Sequence, residues 1–391
     1  MKRRHWAHIV AAAAVAAAFA AAVPASASEP AASAAEAAPA AAAGSARAAD
    51  SASATAVAYL QARAAAVSAT DPAAVLAPYL VAGSALARTE AKLAAGTALR
   101  YQDTGRTADS ATCKVTVLDV QPADDGLTTS VGARSITTIT WRNAAGKTDI
   151  EASGVDHTLL LTWRGDRWLV ASDAYVDDTR AACLEAAGAS RAAVRAAAHA
   201  VERSAARVRL PKTADGQEPV AARRYSDVIA YDRASAQDYG DTYALSYNPT
   251  YVRFDGADCA DFASQCARAG SMPQTSGSAA NGWWYDKGGT SSPSNDTYSL
   301  SWINVTRQMG YWNGRRTDLE TSAGVLSRGD FIYYDWSGDG VWDHVAMVAG
   351  TNSAGQKVID AHTTDHYHVY WKLGTSSTKY KFARVRASWV I

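Results

Sequence analysis

Apolar residues recur along this chain first at helical spacing and then at alternate positions. Ala56-Val57-Ala58-Tyr59-Leu60 opens a helical stretch, and a second runs from about Leu76 to Leu93. Four strand-like runs follow: Val115–Val120, Ser135–Trp141, Thr158–Trp163 and Trp168–Ala171. They are rich in β-branched and aromatic residues and are separated by turn residues such as Gly146 and Arg164-Gly165-Asp166. Ser190 to Val208 reads as a charged, alanine-rich helix, with a looser joint around Pro211 and Gly216. Further on, Phe262, Ala263 and Cys266 fall at helical spacing from Cys259, and two strand-like runs begin at His344 and Lys357.

The pattern predicts an α+β protein in five segments: 1–27, 28–55, 56–187, 188–222 and 223–391. The first carries Lys2-Arg3-Arg4, an apolar run from Ile9 to Val23, Pro24 and the small residues Ala25-Ser26-Ala27, the layout of a secretory signal peptide. The run is too short and alanine-rich for a stable membrane span. The expectation is therefore an exported, secreted protein, taken as a monomer. Residues 28–55 offer no large side chain to bury and are expected to be a disordered tether. Residues 56–187, helices and then an antiparallel meander, resemble a cystatin- or NTF2-like accessory domain. Residues 188–222 form a helical linker.

Composition narrows the function classes. Lysine plus arginine and aspartate plus glutamate balance at 38 each, so no basic excess points to nucleic acid. Cys113 and Cys183 bracket the strand-rich part and are a candidate disulfide in an exported protein, which the sequence leaves open because it does not show their separation. His157 is the single histidine of that part and reads as structural.

The chemistry concentrates in 223–391, which holds eight of the twelve tryptophans. Cys259 would open a helix just after Gly256, where free backbone N–H groups favour a thiolate and can later hold an oxyanion. Cys266, two turns on, reads as a core residue. Asp343-His344-Val345 places an imidazole at the start of an apolar strand, a rigid mount for a base. His362, or less favourably Asp360, on the next strand would orient it. The aromatics Trp283, Trp284, Trp302 and Tyr251 are the expected substrate contacts. Asp335 to Asp343 spaces oxygen ligands like half a calcium loop, but Ala346 stands where the bidentate glutamate belongs; a tight acidic turn that positions His344 is the favoured reading. No cofactor and no metal are expected.

Taken together, Tyr247-Asn248-Pro249-Thr250-Tyr251, Asp258-Cys259-Ala260-Asp261-Phe262-Ala263-Ser264-Gln265, Ser301-Trp302, Gly329 to Trp336, Asp343-His344-Val345 and His362-Thr363-Thr364-Asp365 resemble the "putative amidase domain" family of the papain-like (NlpC- and CHAP-type) cysteine hydrolases. The resemblance covers roughly the last 170 residues. It implies a papain-like fold, with a helix-borne cysteine packed on an antiparallel sheet, and hydrolysis of amide bonds in peptide or peptidoglycan-derived substrates. One departure stands beside the cysteine, where threonine and asparagine are usual and Ala260-Asp261 are found. The rival readings are a catalytically silent wall-binding module and a secreted toxin or acyltransferase using the same thiol.

Overall fold

The computed structural model describes residues 37–102, 104–207, 228–275, 277–288 and 292–390. The expected signal peptide (1–27), residues 28–36 of the tether and 208–222 of the linker lie outside the described residues. Residues 37–44 are the helical start of α1, and from Ser45 onward the chain forms one compact unit.

Helices α1 (Ala37–Ala65), α2 (Pro72–Leu76) and α3 (Ala85–Gln102) come first. The tether residues from 37 to 55 are thus helical rather than disordered. Ala52, Ala56 and Tyr59 are buried against Val131, Leu159 and Val170, and Ser51 Oγ accepts the Trp168 indole N–H at 2.9 Å. Small alanines suffice there because they let the helix approach the sheet closely. The single helix expected over 76–93 is broken at Pro78, and Ser84 restarts it by accepting the Ala87 N–H on its hydroxyl.

Four antiparallel strands follow, the long β1 (Arg106–Pro122), β2 (Thr128–Asn143) and β3 (Thr148–Trp163) and the shorter β4 (Trp168–Tyr175). Then come α4 (Arg180–Ala186), α5 (Arg191–Arg207), β5 (Val228–Ala230), α6 (Arg233–Tyr243) and α7 (Cys259–Ala269). The short β6 (Tyr285–Asp286) and β7 (Thr297–Tyr298) pair with each other before α8 (Leu300–Ile303) and α9 (Val305–Trp312). The chain closes with β8 (Thr317–Glu320), β9 (Phe331–Asp335), β10 (His344–Thr351), β11 (Lys357–Ala361), β12 (Asp365–Tyr370), β13 (Lys379–Val385) and β14 (Ser388–Val390).

The accessory and C-terminal parts, expected as separate domains, share one ten-stranded sheet in the order β1-β2-β3-β12-β11-β10-β9-β13-β8, with β4 also on β3. The reason lies in strand length. β4 pairs only with β3 from His157 onward, which leaves the earlier part of that edge unpaired, and β12 fills it through Asp365↔Gly154, His366↔Ser153 and Tyr367↔Ala152. Arg134 pins the seam by pairing with both Asp156 and Asp365.

The linker helix α5 is not a loose joint either. Its Val201 is buried with Ile332, Tyr334, Ala346 and Val348 on one face of the sheet. Helices α6 to α9 cover the other face through Phe331, Tyr333, Val345 and Met347. Alternation along β9 and β10 thus feeds two cores, which is why both runs are apolar without a polar face.

Candidate active site

Helix α7 presents its buried face at Phe262, Ala263 and Cys266, and it begins where Gly256 turns the chain with φ 78°. Asp258, just before the helix, accepts the Phe254 N–H on Oδ1 at 2.7 Å and fixes the loop. Cys259 is the first helical residue and is buried. The helix end does not win the contest for its proton. Burial pushes the thiol up to about 11, although the backbone N–H groups of Val345 and Ala260 and the Thr363 hydroxyl pull the other way.

His344 opens β10 at the foot of an acidic turn. Asp335 accepts the N–H groups of Gly338, Asp339 and Gly340, Asp339 accepts that of Val341, and Asp343 accepts that of Trp336. The carboxylates thus tie the turn together, matching the reading of this loop as a support for His344. The imidazole packs against Tyr334 and Trp336, with ring centroids 5.3 and 5.5 Å away. Burial lowers its pKa to about 4, with Asp178 opposing.

Asp178 is the residue that sequence reasoning missed. It follows β4, in the part expected to be accessory, and its Oδ2 lies 3.8 Å from His344 Nε2. Both atoms are buried, and neither has a hydrogen-bond partner among the described residues, the two standing too far apart to bond directly. The carboxylate is fixed by its own backbone N–H, donated to Thr364 Oγ1 at 3.1 Å, and by His366 Nε2 at 2.7 Å from Oδ1. His366 Nδ1 in turn meets Ser153 Oγ at 2.9 Å across the β3–β12 seam. Burial raises Asp178, but the facing His366 outweighs it and leaves the carboxyl below its usual range. Burial likewise depresses His366, and Asp178 more than restores it, so its pKa is raised. No sequence pattern flagged Asp178; it is one of two adjacent aspartates after a strand.

Cys259 and His344 line one cavity of about 330 Å³ with Val201, Glu202, Trp336, Trp342 and Thr363. Among the described residues no hydrogen bond joins thiol to imidazole. Both groups are neutral at rest, so the site holds a thiol beside a base rather than a preformed ion pair.

The other expected site residues lie elsewhere. His362 does not reach His344: its Nδ1 meets Asp258 Oδ2 at 2.6 Å, its Nε2 donates to the Tyr243 carbonyl at 2.8 Å, and its ring stacks on Phe262. Burial would depress its pKa, but Asp258 raises it above the usual value, so it buttresses the residue before Cys259. Asp360 accepts the His368 N–H and is also remote from His344 in its bonding.

Trp283, Trp284 and Trp302 are core residues whose indole N–H groups are spent on Ser264, the Gly277 carbonyl and Asp261. They do not line the cavity, because their size is used to fill the space between α7, α8 and the β6–β7 hairpin. Tyr251 stacks near Trp302 and lies under Lys287, again outside the cavity. The tryptophans that do face it are Trp336 and Trp342. Asp261, the departure beside the cysteine, accepts from Trp302 and Gln265 in the core. Cys113, Cys183 and Cys266 are free thiols, so no disulfide joins the first two. His157 is held by Asp173 and Ser135, as a structural histidine would be.

Residues 230–385, less than half of the chain, match the family described as "Putative amidase domain". That match supports an amidase-like hydrolase domain. The chain is 28% identical over 171 residues to the uncharacterized protein YhbB of Bacillus subtilis (strain 168), covering 41% of this chain and 52% of the relative. It is 27% identical over 156 residues to the uncharacterized protein YjcM of the same organism, covering 37% and 34%. The chain therefore spans about half the length, or less, of these curated relatives. Among solved structures, the intermembrane space region of the chloroplast protein ARC6 aligns with 32% of this chain and 95% of its own, at 15% identity and a TM-score of 0.25, too low to bear on the fold. The family match contains Cys259 and His344 but not Asp178.

Proposed function

We propose that this protein is a secreted cysteine amidase that cleaves amide bonds in cell-wall peptides through a thioester on Cys259. The observation that carries the reading is the shared cavity: a thiol at a helix start and an imidazole at a strand start, with a buried carboxylate behind the imidazole. Asp178 is ionised and faces Nε2, which favours the tautomer with its proton there and leaves the Nδ1 lone pair as acceptor. His344 takes the Cys259 proton as sulfur attacks the carbonyl carbon. Backbone N–H groups at the start of α7 support the oxyanion. His344 then gives the proton to the departing amine, the C–N bond breaks, and water hydrolyses the thioester. The low pKa of His344 suits a base that is already neutral in mildly acidic surroundings.

Incubation with purified peptidoglycan, followed by titration of newly freed amines, tests this. Amine release is expected from the native protein and none from Cys259→Ser. Asp178→Asn is expected to lower kcat by about a hundredfold while KM changes little, since it disturbs the base and not the substrate contacts. Release that persists in Cys259→Ser would end the thioester reading.

A further inference from the structure

Away from the cavity, β11 and β12 fall out of register at Asp360, where Ile359 pairs with Val369 but Ala361 pairs with His366. Two residues, Tyr367 and His368, therefore oppose one, and such a bulge re-aims side chains. His368 takes a left-handed backbone with φ 54°, and its N–H donates to Asp360 Oδ1 at 2.9 Å. Its Nε2 reaches Asp241 Oδ1, on α6, at 2.9 Å. Asp360 is fully buried, and its second oxygen, Oδ2, meets no donor among the described residues other than the facing Asp241 carboxyl. That oxygen points at α6, where a Cβ on Gly240 would stand 3.1 Å away, beside Asp241. One donor atom from each of Asp241, Asp360 and His368 can be chosen so that all lie within 4.8 Å of one another.

Two buried carboxyl groups that face each other must hold a proton or a cation between them, and among the described residues no cationic side chain reaches Oδ2. We infer that Asp241, Asp360 and His368 bind a divalent transition metal such as manganese or zinc. Two carboxylates and an imidazole are the donor set of borderline divalent ions; calcium asks for six or more oxygens. Asp241 and His368 are partly exposed, which gives an ion access and room for water ligands. The ion would clamp α6 onto the β11–β12 hairpin. It would thereby brace the Tyr243 carbonyl that holds His362, and through His362 the Asp258 beside Cys259.

Isothermal titration of the full chain with MnCl2, and separately with ZnCl2, reads the binding. One site is expected. Affinity should fall at least about tenfold in Asp360→Asn and stay unchanged in Cys259→Ala. Should Asp360→Asn fail to fold by circular dichroism, the part-exposed Asp241→Asn gives the same reading. No binding to the native chain, or unchanged binding in the aspartate variants, overturns the inference. Loss in Cys259→Ala alone does so too, because it places the ion at the thiol.

Discussion

Cys259 sits where two effects compete over one proton. A helix start and facing N–H groups favour sulfur's anion, while removal from water penalises it, and the second prevails by bringing the thiol to about 11. His344 shows the same force on a base, lowered to about 4. The two therefore share one proton only when a substrate carbonyl makes the transfer worthwhile. Iodoacetamide labelling of Cys259 is accordingly expected to be slower than that of a free thiol at about pH 7, and to rise steadily toward a thiol pKa near 11. Mass mapping of the labelled peptide follows the rate, and rapid labelling in mild acid would show a preformed thiolate. Sequence singled out Cys259 and His344 because each opens an apolar element whose period is visible. It did not give their charge state, which depends on packing from residues far along the chain.

At the scale of elements, the β3–β12 seam joins the two halves. Gly154 keeps that crossing close, since a Cβ would press on the Arg134 guanidinium at 3.0 Å and on the Asp365 Cβ at 3.3 Å. Ser153, His366 and Asp178 form a buried relay across the seam. His366 has a raised folded-state pKa, so its contribution to stability is full below the unfolded value of about 6.5 and is lost as pH rises through the folded value. His366→Asn should therefore cost more near pH 6, about 3 kcal/mol, than near pH 9. Urea unfolding at the two pH values measures this, and equal costs would remove the charge from the account. The strands themselves were legible as alternating runs. Their pairing was not, because an edge left open by a short β4 has no signature in residue order. The same holds for Asp360: one strand's sequence does not reveal a bulge in its neighbour.

For the whole molecule, the family-matched segment is not expected to be self-sufficient. It lacks Asp178, it loses the cover that Val201 gives one face of the sheet, and it bares the edge of β12. A fragment of residues 228–391 is expected to aggregate on expression and to show no amine release from peptidoglycan, while the chain from Ser45 onward stays monodisperse in size-exclusion chromatography. A soluble, active fragment would make the N-terminal part dispensable. The aromatic-rich composition of the C-terminal part suggested a groove; the structure spends most of those rings on the core, because filling volume and lining a cleft call for the same residue types. The seam also fixes an order of events. Ser153 and His366 meet across 213 residues of chain, a closure that comes late in folding because so long a loop must be gathered first. Until that closure is made, Cys259 and His344 lack the placed Asp178 carboxylate, so on the proposed mechanism completion of the sheet would switch the thiol on.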